Sequence, residues 1–213
     1  MTELRKGRPG DEAALRALWE SVFGPEKEFI DAFFRTVYDP GETAVAELGG
    51  EIVSAAYVIG FGGARYIYAV GTRPDCRGRG LGEAVTMLAA DGREAYLCPA
   101  GEELRDWYVR RMGARCVCGR PVFGPAIELT PISPEEYAAR REELLSGRSH
   151  PVYPRAVLEL FGTYGSFYAD GAGGVRALAE GRVCEAVPCD FGAELWILGL
   201  NGAPPICWGL TFE

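Results

Sequence analysis

The sequence predicts an α/β (α+β) fold, and three observations carry this prediction. Residues 42–48 and 51–59 are strand-like runs joined by Gly49-Gly50, which is a strong hairpin signal. Residues 64–72 form a third apolar run that enters a glycine-rich turn, after which apolar residues recur at helical spacing. A helix is also predicted near the N-terminus, because one apolar stripe follows the helical period: Leu15, Leu18, Trp19, Val22 and Phe23.

The other elements of the N-terminal part follow in order. Asp11 can cap the first helix and Gly24-Pro25 ends it, so that a second helix follows before Asp39-Pro40-Gly41. Residues 94–99 are typical of a short buried strand, and residues 103–114 of a helix closed by Gly113. Residues 114–129 then predict a further strand, interrupted near 119–121. The second helix carries an apolar side made of Phe29, Ile30, Phe33, Phe34 and Val37.

A smaller α+β part is predicted from residue 129 onward. Ser133-Pro134-Glu135-Glu136 begins a helix with a capping box and with proline at its first position. Residues 154–162 predict a second, short helix, and residues 166–169 and 195–200 predict strands. Residues 175–179 and 182–187 predict a hairpin, and residues 206–212 form a final apolar, strand-like run. We therefore expect two domains, 1–128 and 129–213.

Composition excludes several classes of protein. The 213 residues carry a net charge of -8, which argues against general nucleic-acid binding. No apolar run approaches a membrane span, and the N-terminus lacks the apolar core of a secretory signal. Seven scattered cysteines and a single histidine, His150, give no metal-ligand pattern. These observations predict a cytoplasmic protein without a metal, a nucleic-acid partner or a membrane partner, and they leave the oligomeric state open.

The glycine-rich turn predicts an anion-binding site. Gly78, Gly80 and Gly82 stand at alternate positions, where the backbone can approach a ligand without Cβ clashes. The first amides of the following helix have no partner within the helix and lie at the positive end of its dipole. Arg77 and Arg79 add positive charge beside them. A plain structural turn with two solvated arginines is the alternative reading.

The spacing excludes two familiar phosphate motifs. A P-loop needs Lys-Ser/Thr where Glu83-Ala84 stand, and a dinucleotide fingerprint needs G-x-G-x-x-G. The segment R-x-x-G-x-G, after a strand ending in V-x-T-x-P, instead resembles the acetyl-CoA motif of the GCN5-related N-acetyltransferases (GNAT). The resemblance implies that the amides of residues 78–82 hold the pyrophosphate, and that the strand near Val70 binds the pantetheine arm. Acetyl-CoA is then the cosubstrate, with a cofactor-binding set of Val70, Gly71, Thr72, Arg77, Gly78, Arg79, Gly80, Leu81 and Gly82.

Residues 107–114 resemble a second motif of this family. Trp107-Tyr108 and Met112-Gly113-Ala114 stand where the family has F-Y-x-x-x-G-F. The resemblance implies that Tyr108 protonates the departing CoA thiolate. The alternative is a core aromatic, since Leu104, Trp107, Tyr108 and Met112 form one apolar stripe, and both readings can hold together.

The resemblance covers residues 1 to about 128 and implies a GNAT fold with a mixed central sheet flanked by helices. The two-part acetyltransferases of the enhanced-intracellular-survival type are also similar, through V-G-T-R-P with R-G-R-G-L-G, Leu97-Cys98-Pro99-Ala100 and the aromatic chain end. This likeness implies a degenerate second GNAT module in residues 129–213.

The implied function is transfer of an acetyl group to a primary amine of a small molecule or peptide by direct attack. The backbone amide of Val70 or a neighbour would polarise the thioester carbonyl. The resemblance to the two-part enzymes implies that Glu213, through its terminal or side-chain carboxylate, is the general base. The alternative is an ordinary last strand with Glu213 in water. Phe29, Phe33 and Phe34 are candidates for the acceptor wall, although core packing is favoured for them.

Two other functions stay open at this stage. One is a catalytically weak CoA-binding or regulatory module, and the other is a domain that binds a non-CoA nucleotide or phosphate through the same turn.

Overall fold

The computed structural model of the chain describes residues 2–117, 128–188, 196–198, 208–210 and 212. Nineteen segments of regular structure are assigned in these ranges, and most of them fall where the sequence pattern predicts them. They form two sheets.

The first sheet has seven strands in the order β1-β2-β3-β4-β5-β11-β6. Neighbouring strands are antiparallel except for β4 and β5, which are parallel, so the predicted mixed sheet is confirmed. Its strands are β1 (Thr2–Lys6), β2 (Ala44–Leu48), β3 (Glu51–Phe61), β4 (Ala64–Thr72), β5 (Ala95–Leu97), β6 (Arg115–Cys116) and β11 (Trp196–Leu198).

Helices cover both faces of this sheet. The helices α1 (Glu12–Phe23) and α2 (Lys27–Thr36) pack on one face, and α3 (Leu81–Ala90) and α4 (Glu102–Met112) pack on the other. Strand β2 illustrates the division, because Val45 lies in the α1–α2 core while Ala44 and Ala46 lie in the α3 core. This alternation follows from the two-residue period of a strand.

The second sheet is smaller and wholly antiparallel, with the order β10-β9-β8-β7. Its strands are β7 (Leu129–Pro131), β8 (Gly165–Asp170), β9 (Val175–Ala179) and β10 (Arg182–Val187), and its helices are α5 (Pro134–Leu144) and α6 (Arg155–Phe161). The predicted capping box is confirmed in part, since Ser133 Oγ accepts a hydrogen bond from Glu136 N at 3.1 Å. The hairpin of β9 and β10 has the predicted bounds.

The chain returns from the second sheet to the first. Strand β11 pairs with both β5 and β6, although it lies in the C-terminal part of the sequence. Residues 196–198 thus add a strand to the first sheet from the C-terminal part of the chain. Residues 128–188, which we call the inserted unit, stand in the chain between two strands of one sheet.

The chain end also differs from its predicted form. Residues 206–212 have the pattern of a strand, but Trp208, Gly209, Leu210 and Phe212 are assigned to no strand. Trp208 and Leu210 are nevertheless completely buried. The apolar pattern therefore reflects burial, and side chains of the inserted unit bind the backbone there.

An ion pair inside the inserted unit provides that binding. The Arg141 and Glu185 side chains are fully buried, with Arg141 Nε 3.0 Å from Glu185 Oε2. The carboxylate also accepts hydrogen bonds from the hydroxyls of Tyr137 and Tyr153. Gly209 N donates to Glu185 Oε1 at 3.1 Å and to the Tyr153 hydroxyl at 3.0 Å. Burial raises the pKa of both tyrosines well above the ordinary range, so their hydroxyls stay protonated as donors.

We expect Glu185→Gln to lower the free energy of unfolding by about 3–5 kcal/mol, because it removes the carboxylate partner of a buried guanidinium. The control is Glu159→Gln, which breaks the exposed Arg155–Glu159 pair. Such an exposed pair contributes little, because water and salt screen it. Urea unfolding measures both variants, and equal stabilities would contradict the prediction.

Candidate functional site

The central strand β4 carries a β-bulge next to its parallel neighbour β5. Ala55 of β3 is paired with Gly71, but Tyr57 is paired with Tyr68. Two residues of β4, Ala69 and Val70, therefore face one residue of β3, and Ala69 has a φ of 47°. Strands β4 and β5 are paired at Tyr66 and Tyr96. The bulge thus lies beyond this paired position along β4.

A cleft of about 530 Å³ occupies this region. Residues from both faces of the sheet line it, since α1 lies on one face and α3 and α4 on the other. The cleft therefore crosses the sheet at the end of β4. Its lining consists of Val22, Phe23, Val70, Thr72, Cys76, Arg77, Gly78, Gly80, Leu81, Gly82, Glu83, Leu104, Trp107, Tyr108 and Arg111.

The glycine turn forms one end of the cleft. Gly78 and Gly80 have φ values of 77° and 76°, which favour glycine, and Gly80 is the N-cap of α3. The first hydrogen bond of α3 runs from Ala84 N to Gly80 O at 3.0 Å. The amides immediately before Ala84 have no partner within the helix, and the positive end of the helix dipole lies there. This end of the cleft can therefore bind an anion.

Two of the arginines beside the turn differ in their surroundings. Arg73 is held by Asp75 at 2.7 Å and by Glu51 at 2.9 Å, and its hydrogen bond lowers the pKa of the Asp75 carboxyl. Arg77 lines the cleft and donates from Nε to Thr72 O at 3.2 Å. This contact fixes the stem of Arg77 at the mouth of the turn.

Most of the predicted cofactor-binding residues meet in this one cleft. Gly71 and Arg79 do not line it. A Cβ on Gly71 would lie 3.1 Å from Phe23 Cε2, so glycine allows α1 to approach β4 there. The predicted residues that line the cleft are Val70, Thr72, Arg77, Gly78, Gly80, Leu81 and Gly82.

Tyr108 lies in the same cleft, on α4. Its ring packs in the α3–α4 core, 4.9 Å from the Trp107 ring, and the residue is 6% exposed. Burial raises the pKa of Tyr108 to about 12, and the hydrogen bond with the Thr86 side chain partly offsets this effect. The ring thus packs in the core while the residue contributes to the cleft wall.

Comparison with known proteins finds a family that is similar to this part of the chain. Residues 12–98, which are fewer than half of the chain, match the Acetyltransferase (GNAT) family. The match covers α1 to β5 and includes the bulge and the glycine turn, and the family is one of acetyltransferases. No curated protein sequence matches the chain.

Solved structures share the GNAT fold over most of the chain. A GCN5-related N-acetyltransferase from Kribbella flavida has a TM-score of 0.60 at 20% identity, and the alignment covers 88% of this chain and 57% of the other chain. One from Anabaena variabilis ATCC 29413 has a TM-score of 0.55 at 14% identity, with 87% and 53% covered. Eis1 from Mycobacterium abscessus has a TM-score of 0.55 at 20% identity, with 83% and 53% covered. The chain thus spans little more than half the length of these proteins.

On the α1–α2 face, half-buried aromatic residues lie beside the bulged strand β4. Phe29 lies 6.5 Å from Tyr68 and 5.8 Å from Tyr164, measured between ring centroids. Tyr164 comes from the inserted unit. Phe33 is fully buried and Phe34 is 7% exposed, so both are core residues, as the packing interpretation predicted. Phe29 is half-buried, and it is not among the residues that line the cleft.

Glu213 lies outside the described residues, so its predicted role stays a prediction. The preceding described residue is Phe212, whose carbonyl accepts a hydrogen bond from the Tyr68 hydroxyl at 2.9 Å. Tyr68 stands directly before the bulge of β4.

Sequence reasoning missed the part of the cleft wall that α1 supplies. Val22 and Phe23 line the cleft, and Phe23 is 46% exposed. The sequence placed both in the apolar stripe of α1, and a large apolar residue at the end of a stripe is the only signal that could have marked Phe23. Leu104, Trp107 and Arg111 of α4 line the cleft as well.

Two structural findings bear on other classes of site. Within the described ranges, no group of three His, Cys, Asp or Glu side chains could hold a metal ion. No helix in the same ranges has the length and apolar character needed to cross a membrane.

Proposed function

We propose that the protein is an acyl-CoA-dependent N-acetyltransferase that moves an acetyl group from acetyl-CoA to a primary amine by direct attack. The observation that carries the proposal is the cleft that crosses the GNAT sheet at the β4 bulge, with an anion-binding turn at one end and Tyr108 in its wall. The GNAT match over residues 12–98 supports acetyl transfer in general.

In this proposal, the cofactor lies along the cleft. Its pyrophosphate accepts hydrogen bonds from the amides of residues 78–82, with Arg77 beside it. Its pantetheine arm runs along β4 past Thr72 and Val70, between the sheet and α4. The support is that these residues line one continuous space and that the amides at the start of α3 lack helical partners.

The reaction needs one hydrogen-bond donor to the thioester carbonyl oxygen and two proton transfers. The amine nitrogen attacks the thioester carbon, and the backbone amide of Val70 stabilises the oxygen that becomes negative. The C–N bond forms, the C–S bond breaks, and Tyr108 gives its proton to the CoA thiolate. A base takes the proton that the amine loses. With a pKa near 12, Tyr108 is protonated at neutral pH and can act as the donor.

The acceptor is a small-molecule or peptide amine that enters from the α1–α2 face. Phe29, Tyr68 and Tyr164 form an aromatic cluster on that face, next to the bulge of β4. In this proposal, the acceptor passes this cluster and reaches the thioester from the side opposite to the pyrophosphate.

Turnover of acetyl-CoA with polyamines, aminoglycosides, amino acids and peptide N-termini tests the proposal. Thermal shifts with CoA, ATP and NAD accompany the assay. Stabilisation by CoA together with amine acetylation is expected. Stabilisation by CoA without turnover on any amine would instead indicate a regulatory module, and stabilisation only by ATP or NAD would indicate a different phosphate binder.

Gly80→Asp and Gly80→Asn form a matched pair for the pyrophosphate site. Both add a side chain of the same shape at a φ of 76°, where no atom lies within 4 Å of an added Cβ. Only aspartate places a negative charge beside the phosphates. We expect the aspartate variant to bind CoA at least about 10-fold more weakly than the asparagine variant, as one unfavourable charge contact predicts. Isothermal titration calorimetry measures both, and equal affinities would locate the pyrophosphate elsewhere.

Tyr108→Phe keeps the packed ring and removes the proton donor. We expect unchanged acetyl-CoA affinity and a turnover lower by roughly 10- to 1000-fold when chemistry limits the rate. In the wild type, a donor with a raised pKa loses activity only as the pH rises toward about 12, so kcat should hold through the ordinary tyrosine range. Unchanged turnover in the variant would leave Tyr108 as a core residue.

Glu213 is proposed as the general base on the resemblance to two-part acetyltransferases. The support is that the Phe212 carbonyl contacts Tyr68 on the acceptor side. Glu213→Gln neutralises the side-chain carboxylate and keeps the shape of the side chain. We expect the acidic limb of the pH–rate profile to shift and kcat to fall by roughly 100-fold. An unchanged profile would rule out Glu213.

A further inference from the structure

The backbone of residues 208–210 is held by buried side chains of the inserted unit. The Tyr153 hydroxyl accepts from Gly209 N at 3.0 Å and from Leu210 N at 3.4 Å. The fit is close, because a Cβ on Gly209 would lie 2.3 Å from Glu185 Cβ. Since Arg141 fixes Glu185 from the other side, this end of the segment is anchored.

The other end of the same segment contacts the catalytic strand. The Tyr68 hydroxyl donates to Phe212 O at 2.9 Å, and the two rings are 5.9 Å apart. Phe212 has a φ of 59°, a conformation that a bulky residue keeps only where its surroundings determine it. Tyr68 and the anchor thus hold the described residues of this segment, 208–210 and 212, from both ends.

The position of Tyr68 gives this contact a consequence for the reaction. Tyr68 directly precedes Ala69, the bulge residue, and Val70 lines the cleft. A shift of residues 208–212 would move the acceptor side of the cleft relative to the thioester. Small displacements of reacting groups cost large factors in rate.

We propose that Tyr68 is a positioning residue: its hydroxyl fastens residues 208–212 to the bulged strand, so that the inserted unit sets the acceptor side of the active site. This inference rests on the proposed acetyltransferase function. It differs from a packing role, because the Tyr68 ring keeps its contacts with Trp19, Phe29 and Phe33 when the hydroxyl is absent.

Tyr68→Phe is the direct test, and Tyr57→Phe is its matched control. Tyr57 is paired with Tyr68 across the sheet and lies in the same aromatic cluster. Its buried hydroxyl has no hydrogen-bond partner among the described residues. We expect Tyr68→Phe to lower kcat/KM for the amine by about 10-fold or more with an unchanged KM for acetyl-CoA. Tyr57→Phe should match the wild type.

Tyr153→Phe tests the anchored end. It should lower kcat/KM for the amine in the same way. The Tyr68→Phe/Tyr153→Phe double variant should lose no more kcat/KM than the less active of the two single variants, because both substitutions act on one segment. Multiplying losses would overturn the proposal, as would an equal loss in Tyr57→Phe or a matching rise in the KM for acetyl-CoA.

Hydrogen exchange separates this proposal from the proposed function. Amides of residues 208–212 should exchange faster in Tyr68→Phe and at the wild-type rate in Tyr57→Phe. If the wild type acetylates no amine, the proposed function fails, and the exchange data alone decide whether Tyr68 holds the segment. Unchanged exchange in Tyr68→Phe would overturn the positioning role whatever the activity.

Discussion

One extra residue in β4 is the constraint on which the site depends. Without the extra residue, β4 would keep the two-residue alternation of a regular strand through Thr72. The side chains beyond the position of the bulge would then point to the opposite faces of the sheet. With the bulge, Gly71 faces α1 while Val70 and Thr72 line the cleft. A positive φ at Ala69 costs about 1–2 kcal/mol. The aromatic packing of Tyr66 and Tyr68 and the fixed register of β3 hold the strand in this form.

The inserted unit is tied to the first sheet because β11, which follows this unit in the chain, completes that sheet. The pairings of β11 with β5 and with β6 join residues that are about eighty to one hundred positions apart in the sequence. Closing the loops between these paired residues costs conformational entropy. A buried ion pair is weak evidence for net stability, yet it requires one arrangement of its partners. Arg141 and Glu185 therefore contribute mainly specificity, since their network fixes where the backbone of residues 208–210 must lie.

The sequence predicts the parts of the fold and site that local physics determines. Gly78 and Gly80 need positive φ, the helix start needs its amides, and Tyr108 follows a helical stripe. The family match then covers the same segment. The sequence does not predict the sheet to which β11 belongs, because a three-residue strand has no periodicity that names its partners. The sequence also predicts Phe23 as part of the α1 stripe and not of the cleft wall. The reason is that its position in the cleft depends on how α1 packs against Gly71.

Electrostatics explain why the anion site is built from short-range contacts. The chain carries a net charge of -8, so its long-range field does not attract a polyanionic cofactor. At physiological salt, charges beyond about 8 Å are largely screened, which leaves local groups to decide binding. Asp75 and Glu51 neutralise Arg73. Arg111 in the cleft wall faces Glu83 at 3.9 Å. The amides at the start of α3, together with Arg77, are then the groups that favour phosphate, and they act only at contact distance. An acidic protein can therefore offer a binding site for an anion at one turn, whatever the sign of its net charge.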